Sequence, residues 1–230
     1  MTSKDALLYA EQNPSLRQNV CKYIRSSYVA LQWTRRWPED REIMRDKIKT
    51  SRRALEWARR WPKDKNIMRG RVTESKWAYC WALEWPEDKE IMRDRITESE
   101  WAYWWAIHWP EDKDIMRDRV TESKWAFKWA REWPKDRHIV RDRIKDPEIA
   151  LEWAKLWPED KNIMFQVVAH TSTWLIDWLE IWPEDKYQIQ DPYRAFLLLQ
   201  RMGLDPVLIE ICKKDEEIYQ KVLELVLCGR

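Results

Sequence analysis

Proline recurs at a fixed interval in this chain, and that interval restricts the folds available to it. Seven of the 11 prolines follow one another at intervals of 24 residues, and two more continue the series at intervals of 25 and 23 residues. These nine residues are Pro14, Pro38, Pro62, Pro86, Pro110, Pro134, Pro158, Pro183 and Pro206. A constant period of this length is typical of repeat architectures, in which each unit buries its apolar face against its neighbours. The period therefore predicts a stack of small, similar units.

The residues before each proline predict a helix with a broad apolar face. In the unit that contains Pro86, Trp81 and Trp85 are four residues apart, and Ala78 and Ala82 lie beside them at the same spacing. At about 100° per residue these positions share one side of a helix. Of the 19 tryptophans, only Trp104 departs from this register. We therefore predict a buried first helix whose tryptophans form an aromatic core.

The phrase that follows each first helix, WPED or WPKD, predicts the start of a second helix. Proline is tolerated at the first helical position, where its missing N–H has no partner in any case. We expect the following aspartate to bind free backbone N–H groups of the first turn. Apolar residues at +5, +6 and +10 from the proline, such as Ile91, Met92 and Ile96, are predicted to be core.

The residues that repeat in this phrase are assigned structural roles. They are Trp37, Pro38, Asp40, Trp61, Pro62, Asp64, Trp85, Pro86, Asp88, Trp109, Pro110, Asp112, Trp133, Pro134, Asp136, Trp157, Pro158, Asp160, Trp182, Pro183 and Asp185. Between units, Thr97 and Glu100 fit a capping box, and Asp146 before Pro147 fits a helix N-cap.

These patterns predict an all-α fold, a single right-handed α-solenoid of about eight to nine short helix pairs over residues 1–230. Residues 1–24 are expected to form an N-terminal capping repeat, 25–168 the regular repeats, and 169–230 divergent repeats with a C-terminal helical cap. In that cap, Gly203 is expected to end one helix and the last residues to form an amphipathic helix. Only three glycines are present, too few for sheet corners or phosphate-binding loops.

Composition limits the choice of partners and compartments. The 42 basic and 40 acidic residues nearly cancel, so no overall field favours nucleic acid or an anionic membrane. The sequence has no signal-peptide pattern and no apolar run of membrane-spanning length, which predicts a soluble, cytoplasmic protein. The four cysteines, at Cys21, Cys80, Cys212 and Cys228, are expected to be free thiols. We predict neither a cofactor nor a metal site, because the histidines and cysteines lack ligand spacing.

Basic residues at +7 and +9 from each proline form the candidate binding surface. If the second helices stack, these residues line up in two columns, and Trp104 is the best candidate for an aromatic groove. One alternative is that the columns are structural ladders between repeats, and the other is that they bind an acidic partner or a nucleic-acid backbone. The candidates are Arg45, Arg69, Arg93, Arg117, Arg141, Lys47, Arg71, Arg95, Arg119, Arg143 and Trp104.

The unit resembles the short helical repeats of the HEAT-like superfamily. The shared features are an apolar segment with a Trp-Ala pair, a proline turn with aspartate, and the sequence IMR in the second helix. In length and pattern the unit resembles the leucine-rich-variant repeat in particular. In HEAT repeats an aspartate in the turn and a later arginine form a ladder, and Asp88 and Arg93 match those positions. The iron–sulfur cluster found in one leucine-rich-variant protein is not implied, because its cysteine cluster is missing.

These observations predict a non-enzymatic scaffold that presents an extended surface to another macromolecule, most readily a protein. The first alternative is nucleic-acid binding along the basic columns. The second is an enzyme of the HEAT-like DNA glycosylase type, which fold analogy alone supports. Self-association is a further alternative, and no membrane partner is expected.

Overall fold

The computed structural model describes residues 1–227, apart from the side chain of Ser172, and these residues form helices and turns with no β-strand. The cysteine at position 228 and the last two residues of the predicted C-terminal helix lie outside the described residues. The chain divides into two compact units, Met1–Arg119 and Val120–Arg230. Helix pairs at the 24-residue period make up the first unit and begin the second, which confirms an all-α helical-repeat fold.

The first unit contains five helix pairs, and a short 3₁₀ turn beginning at the proline precedes each second helix. The helices are α1 (Ser3–Gln12), α2 (Arg17–Val20), α3 (Ser27–Arg36), α4 (Arg41–Arg45), α5 (Ser51–Arg60), α6 (Lys65–Arg69), α7 (Ser75–Glu84), α8 (Lys89–Arg93), α9 (Ser99–His108) and α10 (Lys113–Arg117). The turns are Pro14–Leu16, Pro38–Asp40, Pro62–Asp64, Pro86–Asp88 and Pro110–Asp112, and a further 3₁₀ turn, Cys21–Tyr23, follows α2.

The second unit continues the pattern and then departs from it. Its helices are α11 (Ser123–Glu132), α12 (Arg137–Val140), α13 (Pro147–Leu156), α14 (Lys161–Val168), α15 (Ser172–Ile181), α16 (Pro192–Met202), α17 (Pro206–Cys212) and α18 (Glu216–Leu227). The 3₁₀ turns are Pro134–Asp136, Arg141–Arg143, Pro158–Asp160 and Pro183–Gln188. The last of these turns replaces a second α-helix. Gly203 ends α16 with φ of 92°, as expected for a glycine at a helix C-terminus.

The Trp-Pro pair is the corner between the two helices of a repeat. Proline disfavours the helical conformation in the residue before it, and Trp85 accordingly leaves the helix with φ of −128° and ψ of 82°. Its N–H still donates to the carbonyl of Trp81, and its own carbonyl accepts from the N–H of Asp88 at 2.9 Å. One residue therefore ends α7 and begins the turn that leads into α8.

The core of each repeat consists of one tryptophan, small alanines and the inner side of the second helix. The tryptophan five residues before the proline is fully buried in every regular repeat, as are the neighbouring alanines and the methionine or valine at +6. The indole rings at −5 and −1 lie 4.2–4.7 Å apart at tilted angles. The predicted aromatic core is confirmed at the −5 position. The tryptophan at −1 is half-buried in most repeats.

One predicted cap is wrong, and a contact between repeats takes its place. Glu98 is the N-cap of α9 and makes no side-chain capping bond, so Thr97 and Glu100 form no capping box. Instead the backbone N–H groups of Thr97 and Glu98 donate to the hydroxyl of Ser75, at 2.9 and 3.2 Å. The hydroxyl at the start of one first helix thus binds the backbone of the next repeat. Where Asp146 precedes Pro147, the predicted cap is confirmed.

Candidate functional site

The aspartate of the WPED phrase lies in the seam between repeats. It was expected to cap its own helix, but Asp88 makes no capping bond. Its Oδ2 accepts a hydrogen bond from the indole Nε1 of Trp81 at 2.9 Å, and its Oδ1 accepts from Arg69 of the preceding repeat at 2.6 Å. Lys65 adds an ion pair at 3.1 Å. Because the 3₁₀ turn places Asp88 at the start of the α-helix with its side chain directed inward, the carboxylate joins two repeats.

The hydrogen bonds of this aspartate change its pKa. Burial alone would raise the pKa of Asp88, but hydrogen bonds from Trp81, Arg69 and Lys65 outweigh burial and hold the pKa below its ordinary value. The same balance, with Trp105, Lys89 and Arg93 as donors, lowers the pKa of Asp112. Both carboxylates are therefore charged at neutral pH although they are almost fully buried.

The basic residues at +7 share these buried aspartates with the basic residues at +3. Arg93 pairs with Asp112 at 3.2 Å, and Arg141 pairs with Asp160 at 3.1 Å. Arg45 lies 3.6 Å from Asp64. In each of these pairs the partner is the aspartate of the next repeat, so the aspartates and arginines form a ladder that joins adjacent repeats. Arg117 pairs with Asp114 and Asp118 on its own segment, at 3.0 and 3.7 Å.

The arginines at +9 bind chiefly backbone carbonyls. Two of them also approach a carboxylate, since Arg71 donates to Asp46 Oδ1 at 3.3 Å and Arg119 lies 3.9 Å from Asp94. The guanidinium of Arg95 donates to the carbonyl oxygens of Arg69 and Val72 in the preceding repeat. Equivalent bonds join Arg71 to Arg45 and Ile48, Arg119 to Arg93 and Ile96, and Arg143 to Val120. The carbonyls of Arg45, Arg69 and Arg93 belong to the last residues of the second helices and also accept the N–H of the residue three positions later. Lys47, at the same position, has a half-buried side chain.

The acidic side chains at +1 and +8, which pair with these basic residues, face outward. Paired basic side chains at +3, +7 and +9 are 18–30% exposed, whereas the acidic side chains at +1 and +8 and that of Asp114 at +4 are 55–76% exposed. Basic residues extend inward to the seam, and the acidic ones extend outward into water. The side of the repeats that was expected to carry basic columns therefore presents carboxylates.

The isoleucine at +5 is exposed, which corrects its assignment to the core. Ile91 and Ile115 are each 42% exposed, and the equivalent residues Ile43, Ile67, Ile139 and Ile163 are similar. The buried positions of the second helix are +2, +6 and +10, which follow one another at four-residue steps. Position +5 is turned about 100° from +6 on such a helix. It therefore lies at the border between the core and the solvent-facing side.

The clearest candidate site combines these two features on α8 and α10. Ile91 and Ile115 form its centre, and six exposed carboxylates border it on the solvent side. The six are Glu87, Glu90 and Asp94 in one repeat, and Glu111, Asp114 and Asp118 in the next. On a helix, positions +1, +4 and +8 lie about 40° to 100° to one side of +5. We call these eight residues the acidic isoleucine surface.

A second exposed apolar surface lies on the first helices α7 and α9. Trp104, the candidate for an aromatic groove, is 40% exposed, and Leu83 and Ile107 are exposed on the same two helices. Tyr79 links the helices beneath, with its ring 5.5 Å from that of Trp101. The Trp104 ring contacts Tyr103 of its own helix edge-on. The rings on this face pack against aromatic neighbours.

The second unit contains a cavity of about 340 Å³ where the repeat pattern ends. It opens beside Gln188, because the 3₁₀ turn Pro183–Gln188 replaces the second α-helix that would fill this space. Arg194 crosses its edge and donates to the carbonyl of Ala169 at 2.6 Å, with the ring of His170 at 3.3 Å. Arg194 therefore repeats the backbone contact of the +9 arginines.

Three other features bear on function: metal ligands, free thiols and membrane-spanning helices. Within residues 1–227, no group of three or more histidine, cysteine or acidic side chains has the arrangement of a metal site. Cys21, Cys80 and Cys212 are free thiols, as predicted, and burial raises the pKa of Cys80 and of Cys212. In the part of the chain that the structure describes, no helix has the length and apolar character needed to cross a bilayer.

The chain was also compared with known proteins. A scan of protein-family models, a search of curated proteins and a search of solved structures all find no match.

Sequence reasoning missed the acidic isoleucine surface, although a signal for it was present. The residues at +2, +6 and +10 share four-residue spacing, as in Asp88, Met92 and Ile96. That spacing indicates that they lie on one face and that the isoleucine at +5 lies beside it. The pattern could not indicate that the ion pairs between repeats hold the basic side chains inward and leave the acidic side chains exposed.

Proposed function

We propose that this chain is a non-enzymatic helical-repeat scaffold that binds another protein through the second helices of its repeats. The observation that supports the proposal is the exposure of Ile91 and Ile115, two β-branched apolar side chains on neighbouring helices. Isoleucine is a mediocre residue for a solvent-exposed helix, because its branched side chain loses rotamer freedom there. Local helix propensity therefore gives no reason for isoleucine at this position.

The repetition of this residue also supports a binding role. Position +5 is isoleucine in six consecutive repeats, whereas position +4 varies among Glu, Asn, Asp and His. Covering the exposed part of each side chain would contribute about 1 kcal/mol of hydrophobic free energy. Several such residues in a row would supply the apolar centre that protein interfaces have.

We further propose that the repeats are HEAT-like. The HEAT-like pattern of proline turn, buried aspartate and following arginine occurs here with ion pairs between neighbouring repeats, as in Arg69 with Asp88. Repeat stacks of this kind present extended surfaces on which a partner contacts several units at once. A nucleic-acid partner is less well supported, because the guanidinium groups at +7 and +9 are largely occupied by carboxylates and carbonyls of the chain itself.

The proposal can be tested by affinity capture from an extract of the native source, with and without nuclease. The test variant is I91S/I115S, and the matched control is L83S/I107S, which changes two similarly exposed apolar residues on the first helices. We expect a protein that the wild type and the control capture even after nuclease treatment, and that I91S/I115S does not capture. Capture that depends on nucleic acid, or that I91S/I115S retains in full, would overturn the proposal.

A further inference from the structure

The charge around Ile91 and Ile115 restricts what can cover them. The segments from Glu87 to Arg95 and from Glu111 to Arg119 each contain four carboxylates and three basic side chains. In each segment only one carboxylate, Asp88 or Asp112, is buried in the seam. The remaining three are exposed, whereas the three basic side chains of each segment are half-buried. A partner that binds here therefore contacts exposed isoleucines flanked by exposed carboxylates.

Basic side chains of the preceding repeat bind two of the outer carboxylates, Glu87 and Glu111. The hydrogen bond from Lys65 lowers the pKa of Glu87, and that from Lys89 lowers the pKa of Glu111. Asp94 and Asp118 lie 3.7 Å from the arginine that precedes each of them. These contacts engage one side of each carboxylate. The acidic side chains remain 62–76% exposed, so water or a partner reaches their other side.

We propose that the acidic isoleucine surface binds a lysine- or arginine-rich amphipathic segment of a partner protein. Apolar side chains of the segment cover Ile91 and Ile115, and its basic side chains lie against the six carboxylates. This inference rests on the proposed function and adds the chemistry of the partner. Charge complementarity is the argument for it. A second copy of the same surface would place carboxylates against carboxylates, and an anionic membrane or nucleic acid would be repelled in the same way.

The repeat in front of this surface provides an internal control. Ile67 has the same position and nearly the same exposure, but its neighbours at +1, +4 and +8 are Lys63, Asn66 and Gly70. It is an isoleucine without the acidic border. Changing Ile67 therefore separates general apolar contact from recognition by the complete surface.

The direct test uses synthetic peptides and fluorescence anisotropy at low and moderate salt. The probe is a fluorescein-labelled peptide of about 21 residues made of leucine and lysine, with leucine on one helical face, long enough to cross about three stacked helices. One control peptide has the same composition with the leucines distributed around the helix. In a second control peptide every lysine is replaced by glutamate. A labelled oligonucleotide is tested in parallel.

Two protein variants are expected to weaken binding of the leucine–lysine peptide. We expect I91S/I115S and E90Q/D94N/D114N each to raise Kd by about tenfold or more, because each removes several central contacts. I67S should change Kd by less than about twofold, and so should E216Q/E217Q/E224Q, which removes three exposed charges from α18. Circular dichroism checks that each variant keeps its helix content.

The results separate the inference from the proposed function. Equal binding of the two leucine–lysine peptides, tighter binding of the glutamate peptide or the oligonucleotide, or full binding by I91S/I115S would overturn the inference. If the captured protein depends on Ile91 and Ile115 but the basic peptide neither binds nor competes with it, the scaffold function stands and the basic partner is wrong. If neither a protein nor the peptide depends on these residues, both proposals fail.

Discussion

At the residue scale, a buried carboxylate gives each repeat its fixed geometry. Asp112 accepts the indole N–H of Trp105 at 3.0 Å and pairs with Arg93 and Lys89 of the preceding repeat. A buried charge is tolerated only when it is paired and hydrogen-bonded. The tryptophan therefore has two roles, since it fills the core and also satisfies the group that links two repeats.

Neighbouring tryptophans allow a stability test of this role. Trp105 is fully buried, whereas Trp104 is 40% exposed. We expect W105A to lower the free energy of unfolding by about 3 to 5 kcal/mol, because it leaves a cavity and removes a donor from Asp112. W104A should change it by less than about 1 kcal/mol. Urea denaturation followed by circular dichroism measures both, and a W105A cost as small as that of W104A would show that the −5 position is not core.

A pH titration tests the charge of the buried aspartate. The folded-state pKa of Asp88 lies below the ordinary value of 3.8, so its ionised form stabilises the folded state above that pH. We expect D88N to cost about 1 to 3 kcal/mol at neutral pH, because asparagine keeps the acceptor but loses the charge. The difference between wild type and D88N should narrow as the pH falls from about 4 to about 2. A difference that is constant over this range would contradict an ionised Asp88.

At the element scale, the helices are short and the bonds between them matter more than their own propensity. Second helices such as α8 have only five residues and could not persist alone. They are fixed by the proline turn before them, by the ladder of ion pairs, and by hydrogen bonds from a neighbouring repeat. Ser75 contributes one such link, since its hydroxyl accepts from the backbone of Thr97 and Glu98.

Removing one of these hydroxyls tests the link between repeats. S75A leaves two partly buried backbone N–H groups without their acceptor, and we expect it to lower the free energy of unfolding by about 1 to 3 kcal/mol. The control is S26A, because Ser26 is exposed and its side chain makes no capping bond; it should cost less than about 0.5 kcal/mol. Hydrogen exchange of the Thr97 and Glu98 amides provides a local measurement. Unchanged exchange in S75A would contradict the assigned contact.

At the scale of the whole molecule, stability depends on contacts between successive repeats. Within the first unit, each first helix packs against the next one, as α5 does against α7 and α7 against α9. In such stacks the free energy is close to a sum of repeat and nearest-neighbour contributions. Changes that respect the period should therefore be tolerated better than changes that break it.

Deletions of different length test this dependence. Removing residues 75–98 deletes one 24-residue period and joins Glu74 to Ser99, which restores the TES phrase found at 73–75, 97–99 and 121–123. We expect a folded helical protein with a smaller urea m-value, in proportion to the surface that is lost. Removing residues 75–86 deletes a first helix without its partner, and we expect loss of cooperative unfolding. If both deletions behaved alike, the 24-residue unit would not be the unit of stability.

The sequence by itself determined the period, the helix pairs, the buried tryptophan at −5 and the corner at each Trp-Pro pair. These features depend on local chemistry, because side-chain spacing fixes the helix face and proline fixes the turn. Only the tertiary structure decided that Asp88 binds Trp81 and Arg69 instead of capping its helix, and that Ile91 is exposed. The tertiary structure also decided the sign of the charge on the acidic isoleucine surface. That sign depends on which partner of each ion pair extends inward to the neighbouring repeat, and a one-dimensional pattern with nearly equal numbers of acidic and basic residues cannot specify this.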